Sequence, residues 1–354
     1  MRISINVKTI DEPFGGANNF AKNLSKGLRD KGYYITNKLE KNLDIIIIIV
    51  SHDSLRLVSF SPEDVRTYKR AFPNVCVIHR INSCDEHRGY NNGTNERVIK
   101  TNKIADYTIF VSKFIKLFWE RKGLIKKQSS VILTKANKKI FNPFKRNKWN
   151  KKKPIKIITH HWSSNYMKGF DIYQRLDEML VLKKWKNKIK FSFIGRTPLG
   201  YDLKNSKIIK PLRDHSLSRQ LKNHHLYLTA SRYEAAGNHY IEALQCGLPV
   251  LHLNHGSLPE YCSKFGITFD LHDFEIKLEE IISKYDFFFE KLSKYNFDDD
   301  DMINEYHILI KKLVSKRVKK GLKNKLYLFY LNKILKFLKV LKTRIGLKII
   351  GEKF

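Results

Sequence analysis

Residues His225 to Leu253 read HLYLTASRYEAAGNHYIEALQCGLPVLHL. The flanks, HLYLTA and PVLHL, are short apolar runs of the kind that form buried strands, and the residues between them have the length for a loop and a helix. Two glutamates, Glu234 and Glu242, stand eight positions apart with Gly237 between them. On one continuous helix they would lie within about 80° of each other. Gly237 argues against that, because a glycine there would break up the early turn and leave Glu234 in the loop. Glu242 then rides on the helix. The stretch is a strand–loop–helix–strand unit, the building block of a parallel sheet covered by helices.

The same alternation extends in both directions. Strand-like runs are RISINV, DIIIIIV, NVCVIHRI, DYTIFVS and SSVILT in the first half, and IKIITHHW, IKFSFIG, HLYLTAS, LPVLHL and GITFD in the second. Helix-like stretches such as ANNFAKNLSKGLRDKG, SKFIKLFWERKG and HSLSRQLKNH lie between them. Ten strands exceed one comfortable sheet, and FKRNKWNKKKP (Phe144 to Pro154) is a charged, core-free break. The expected fold class is therefore α/β, with two doubly wound Rossmann-like domains facing each other across a cleft. The expected bounds are 1–148, 149–310 and a tail, 311–354. In open α/β sheets ligands sit beyond the carboxyl ends of the strands, so the cleft is the expected site.

With 354 residues, 42% of them hydrophobic, the chain is long enough for two cores and is not a disordered segment. Its net charge of +34 points to a polyanionic partner or, as the plainer alternative, to solvated lysines in a Lys-, Asn- and Ile-rich chain. Cys76, Cys84, Cys246 and Cys262 form no CxxC pair, so neither a zinc site nor a disulfide framework is expected. The N-terminus lacks the apolar core of a signal peptide, and DIIIIIV is too short to span a bilayer. A nucleic-acid role rests on charge alone, without a recognisable binding motif. From Lys311 to Phe354 there are fifteen Lys or Arg against one acid, Glu352, interleaved with apolar residues. That pattern suits a basic amphipathic helix on an anionic leaflet; the alternative is a helix packed on the protein.

Candidate site residues collect at the strand ends. Gly15 and Gly16 follow the first strand and open a helix whose N–H groups could face an anion; the segment is not GxGxxG. His79 and Arg80 end a buried strand, with Asp85, Glu86, His87 and Arg88 in the loop beyond. Lys168, at a helix entry before Gly169, suits a phosphate, and Arg196 lies just past a strand. Gly256, Ser257 and Glu260 follow PVLHL. Cations for phosphates beside carboxylates for sugar hydroxyls suit a nucleotide sugar. The pairs His160–His161 and His224–His225 have no acidic or cysteine companion at ligand spacing, so no metal site is expected. Asp298 to Asp301 read as helix-capping charges.

The sequence resembles the GT-B glycosyltransferases of family 4. SRYEAAGNHYIEALQCGLPVL is similar to that family's E-x7-E signature and following strand, and HGSLPEYC, MKGFD, FGGANNFAKNLSKGL and ADYTIFVSKF resemble further segments, from about residue 3 to 270. The resemblance implies a retaining glycosyltransferase that needs neither metal nor cofactor and takes its sugar from a nucleoside diphosphate donor. It implies that Glu242 holds the ribose, Glu234 the donor sugar and Lys168 the diphosphate. His79 would lie near the reacting sugar, and Gly15 and Gly16 would face the donor phosphate. Gly237 and Ser257 belong to the same donor site. Two departures stand out. His161, Trp162 and Ser163 occupy the place of an expected arginine, which Arg196 would replace, and TKAN (Thr134 to Asn137) replaces a glycine-bearing loop. The leading expectation is a cytoplasmic enzyme, peripheral on the inner face of a membrane, with a lipid-linked or surface-polysaccharide acceptor. A catalytically inactive sugar-nucleotide or glycan-binding relative is the alternative.

Overall fold

A computed structural model describes residues 1–10, 16–51, 57–124, 128–294 and 300–316. The first six strands are β1 (Arg2–Ile5), β2 (Tyr34–Thr36), β3 (Ile45–Ile48), β4 (Cys76–Ile81), β5 (Tyr107–Phe110) and β6 (Ser129–Val131). They form one parallel sheet in the order β2-β1-β3-β4-β5-β6. Its helices are α1 (Gly16–Asp30), α2 (Pro62–Ala71), α3 (Thr94–Asn102) and α4 (Lys113–Arg121). Ile45 to Ile48 are fully buried, as a central strand covered on both faces requires.

The second sheet has β7 (Ile155–His161), β8 (Ile189–Gly195), β9 (Lys207–Ile209), β10 (Leu226–Thr229), β11 (Val250–Leu253) and β12 (Gly266–Phe269). These strands are also parallel, in the order β12-β11-β10-β7-β8-β9. Around them run α5 (Phe170–Met179), α6 (Asp214–Lys222), α7 (Asn238–Gln245), α8 (Leu258–Cys262), α9 (Phe274–Ser283) and α10 (Tyr285–Ser293). The chain winds outward from β7 through β8 to β9, then crosses to β10 and winds the other way. The switch point, where a ligand crevice opens, thus lies between β7 and β10.

All ten expected strands are present, and β2 and β9 are additional. Both are three-residue pieces, YIT and KII, on sheet edges, where partial exposure removes the apolar density that marks a buried strand. The break at 144–154 is less empty than its charge suggests. The Arg146 guanidinium stacks 3.7 Å from the Phe289 ring centre and bonds the carbonyls of Gly247 and Phe289, and Trp149 meets Tyr285 edge-on. Burial lowers the Arg146 pKa to about 10.

Met1–Tyr306 forms one compact unit containing both sheets, and His307–Phe354 is a second. Within the first, the chain returns to α1 late: Tyr306 lies 5.8 Å from Phe20, and a Cβ on Gly27 would fall 2.7 Å from Ile303. Of the second unit, residues 307–316 are helical. The basic stretch from 317 onward lies outside the described residues, as do Gly15, Asp298 and Asp299. No helix among the described residues is long and apolar enough to cross a membrane.

Candidate functional site

β10 ends at Thr229, and the loop that follows carries Glu234 to the switch point with only 4% of its surface exposed. A buried carboxylate needs partners, and two arrive from different elements. Lys168 Nζ donates to Glu234 Oε2 at 2.5 Å, from the 3-10 turn Tyr166–Lys168 just after β7. His87 Nε2 lies 3.2 Å from Glu234 Oε1 and 2.9 Å from Lys168 Nζ, and it comes from the first lobe, in the turn Glu86–Arg88 after β4. Burial alone would push the Glu234 carboxyl up. The opposing charges of His87 and Lys168 and the hydrogen bond from His87 outweigh it and hold the carboxyl well below its usual range.

Gly169 makes this geometry possible. Its φ is +89°, and a Cβ there would sit 2.5 Å from the Ala230 carbonyl oxygen, so only glycine lets the start of α5 press against the end of β10. The neighbouring loop is fixed from below. Arg232 makes paired bonds to Asp171 at 2.9 and 2.5 Å, and the Ser257 amide donates to the Glu234 carbonyl at 2.8 Å. The Ser257 hydroxyl is buried against the Tyr240 hydroxyl at 2.8 Å, and the Gly237 amide donates to that same hydroxyl at 2.8 Å.

Gly237 is the N-cap of α7 with φ −83°, which any residue adopts, so conformational freedom is not its purpose. Space is: a Cβ would fall 2.5 Å from the His239 ring and 2.8 Å from that of Tyr240. Glu234 does stay in the loop while Glu242 rides on α7. Glu242 is 6% exposed and bonds His160 Nε2 at 3.1 Å, so His160 has an acidic companion that sequence spacing did not reveal. His161 and His239 meet edge-to-face beside it with ring centres 4.5 Å apart. Burial, together with neighbouring positive groups, pushes both well below the usual histidine range, so both are neutral near pH 7. Among the described residues, no group of three His, Cys, Asp or Glu side chains is placed to hold a metal ion.

Across the cleft, α1 begins at Gly16, where a Cβ would lie 3.4 Å from the Asn238 carboxamide at the start of α7. Two helix N-termini therefore converge from opposite lobes, each bringing the positive end of its dipole. Arg196, beyond β8, is exposed and stacks 4.4 Å from the Trp162 ring centre.

Three expectations need correction. His79 is 1% exposed and uses both ring nitrogens inside the first lobe, on Ser51 at 2.9 Å and Asn102 at 3.1 Å; the histidine on the Lys168–Glu234 pair is His87. Arg80 is 4% exposed, bonded to Thr134 and lying 3.6 Å over the Phe20 ring. Glu260 is not a cleft carboxylate. It accepts the Lys113 amide at 2.8 and 3.0 Å and so caps α4 of the other lobe. The TKAN loop is rebuilt without a left-handed residue: Gln245 bonds both the N–H and the C=O of Ala136, and Tyr261 accepts the Thr134 amide.

Residues 142–273 match the family model described as glycosyl transferases group 1. No curated protein sequence matches the chain. Solved structures share its fold at low identity. HepE of Anabaena, in complex with UDP and glucose, has a TM-score of 0.65 at 12% identity, with 88% of this chain and 100% of that one covered. Sucrose-phosphate synthase of Thermosynechococcus elongatus gives 0.64 at 13%, covering 89% and 99%. The lipopolysaccharide outer core galactosyltransferase WaaB gives 0.64 at 14%, covering 88% and 99%. Two six-stranded parallel sheets, the solved structures that share them and the family match over the second sheet converge on one assignment: the chain has the GT-B fold, and its residues 142–273 are a glycosyl transferases group 1 domain.

Proposed function

We propose that the chain transfers a sugar, with retention and without a metal ion, from a nucleoside diphosphate donor to a lipid-linked or surface-polysaccharide acceptor. The observation that carries the donor reading is the buried Lys168–Glu234–His87 group beside the converging N-termini of α1 and α7. A departing diphosphate needs positive charge fixed in place before the bond breaks, and an ammonium held by Glu234 supplies it without reorganisation. Lys168 neutralises the leaving diphosphate, with Gly16 and the start of α7 donating N–H groups to it. Glu234 fixes the Lys168 ammonium and accepts hydrogen bonds from donor hydroxyls, and Glu242, held by His160, takes the ribose. Arg196 on its Trp162 shelf adds charge at the rim. His87 stands where the sequence reading put His79, close to the sugar. Retention and metal independence rest on the resemblance of the E-x7-E stretch.

Nucleoside diphosphate release from UDP-, GDP- and ADP-sugars, with acceptor lipid supplied and with EDTA present, tests this reading. Turnover with one donor is expected, at least about a hundredfold lower in Lys168→Ala and Glu242→Ala. Full turnover in the double variant overturns the site. Donor binding without turnover favours the inactive, binding-only relative, a reading motivated by the missing arginine. The proposed place at the cytoplasmic face rests on the basic tail, and loss of pelleting with anionic vesicles on deletion after Lys320 is its test.

A further inference from the structure

At the opposite end of the second sheet, where the strands begin, a groove of about 680 Å³ opens beside β8 and β9. It is lined by Lys156, Lys186, Lys190 and Lys207, with Ser192 and His224 in its wall and no carboxylate along it. Strand register sets the charges side by side. Lys156 is the direct partner of Lys190 across β7 and β8, and Lys207 is the partner of Ser192, two residues on from Lys190. Adjacent strands run about 4.8 Å apart, so the stems of Lys156 and Lys190 leave the same face of the sheet side by side. Like charges directly opposite in a sheet are destabilising. None of the four lysines forms an ion pair among the described residues, although Lys184 nearby pairs with both Glu275 and Glu279. Behind the lining residue Asn205, Asp177 is 1% exposed and spent on Asn205 and Ser206. His224 adds a neutral polar group: its Nε2 lies 3.0 Å from the Ser192 hydroxyl, and burial lowers its pKa to about 4.

We propose that this groove is a second binding site, separate from the donor cleft, for a soluble ligand carrying several clustered phosphate groups. Lysines act as point charges toward phosphate, and several on one concave wall fit neighbouring phosphates better than a single anion. Concavity favours a discrete ligand over a bilayer, because a flat surface of headgroups reaches the rim and not the wall. Occupation offsets the repulsion between Lys156 and Lys190.

The test is calorimetric titration of the full chain with inorganic tripolyphosphate at low and at physiological salt. Saturable binding is expected, weakened at least about tenfold in Lys190→Glu/Lys207→Glu and more mildly in the corresponding Gln pair. An equal charge change on the first lobe, Lys31→Glu/Lys41→Glu, is expected to weaken it less than about twofold. No saturable binding by the wild-type chain overturns the proposal, and so does equal weakening in both Glu pairs. Binding to phosphatidylglycerol-containing vesicles without binding to tripolyphosphate also overturns it, in favour of a membrane surface.

Discussion

The two ends of the second sheet treat lysine in opposite ways. Where β7 and β10 finish, Lys168 is buried to 12% side-chain exposure, and its ammonium is held by Glu234. Where β7, β8 and β9 begin, Lys156, Lys190 and Lys207 are exposed and meet no carboxylate among the described residues. The difference is one of desolvation. A lysine taken out of water must bring its counter-charge along, whereas exposed lysines can share a wall and keep water as their partner. The first arrangement is preorganised for a particular anion, and the second holds charge in reserve.

Acid tests what both ends have in common. His224 and His225 near the strand starts and His252 on β11 each have a pKa lowered to about 4 by burial, and burial likewise lowers His161 and His239 at the strand ends well below the usual histidine range. Below the ordinary histidine value near 6.5 the unfolded chain takes up protons that the folded chain refuses, so stability falls as pH drops from about 6.5 toward 4. At least about three protons are involved, or ~4 kcal/mol per pH unit midway through that window. Glu234 acts in a lower range, its contribution being lost as pH falls below the ordinary carboxylate value near 4.3. Denaturant midpoints measured from pH 7 to 4.5 check the slope, and a flat profile would contradict the buried, neutral histidines.

Lys168→Met separates the ends next. Removing one partner of a buried pair costs roughly 3–5 kcal/mol, and adding Glu234→Gln is expected to restore much of the stability while leaving turnover lost. Equal stability of the single variant and the wild-type chain would sink the pairing argument. Gly169→Ala should cost more than about 2 kcal/mol, since it adds both a left-handed strain and a clash with the Ala230 backbone. At the other end, Lys190→Gln should change stability by no more than about 0.5 kcal/mol, and in the stabilising direction. A clear loss there would mean that Lys190 has a structural role.

Much of this contrast could be read from the sequence. HLYLTA and PVLHL fixed the strands that bracket Glu234 and Glu242, and MKGFD placed Lys168 beside them. Each rests on local periodicity and turn chemistry, which a chain carries residue by residue. What escaped depends on the other lobe. His79 and His87 are eight residues apart, and nothing local says which ring the β4 strand buries and which the turn after it presents. Glu260 looked like a cleft carboxylate because its partner, the Lys113 amide, lies 147 positions away. Gly237 was legible as a required glycine, but its reason is crowding by two aromatic rings, visible only once α7 is built.

That carboxylate has a mechanical meaning. Glu260 stands on α8 of the second lobe, yet it completes the first turn of a helix in the first, with Tyr261 bonded to the Val111 carbonyl alongside. A hinge motion that parts the lobes along this wall must strip Glu260 from the Lys113 amide and leave α4 with the Ser112 hydroxyl on the Ile115 amide as its remaining cap, at a cost of about 1 kcal/mol. Secondary structure in one lobe thereby acts as a gauge of interlobe spacing, and fraying of α4 becomes a spectroscopic reporter of how far the cleft has opened.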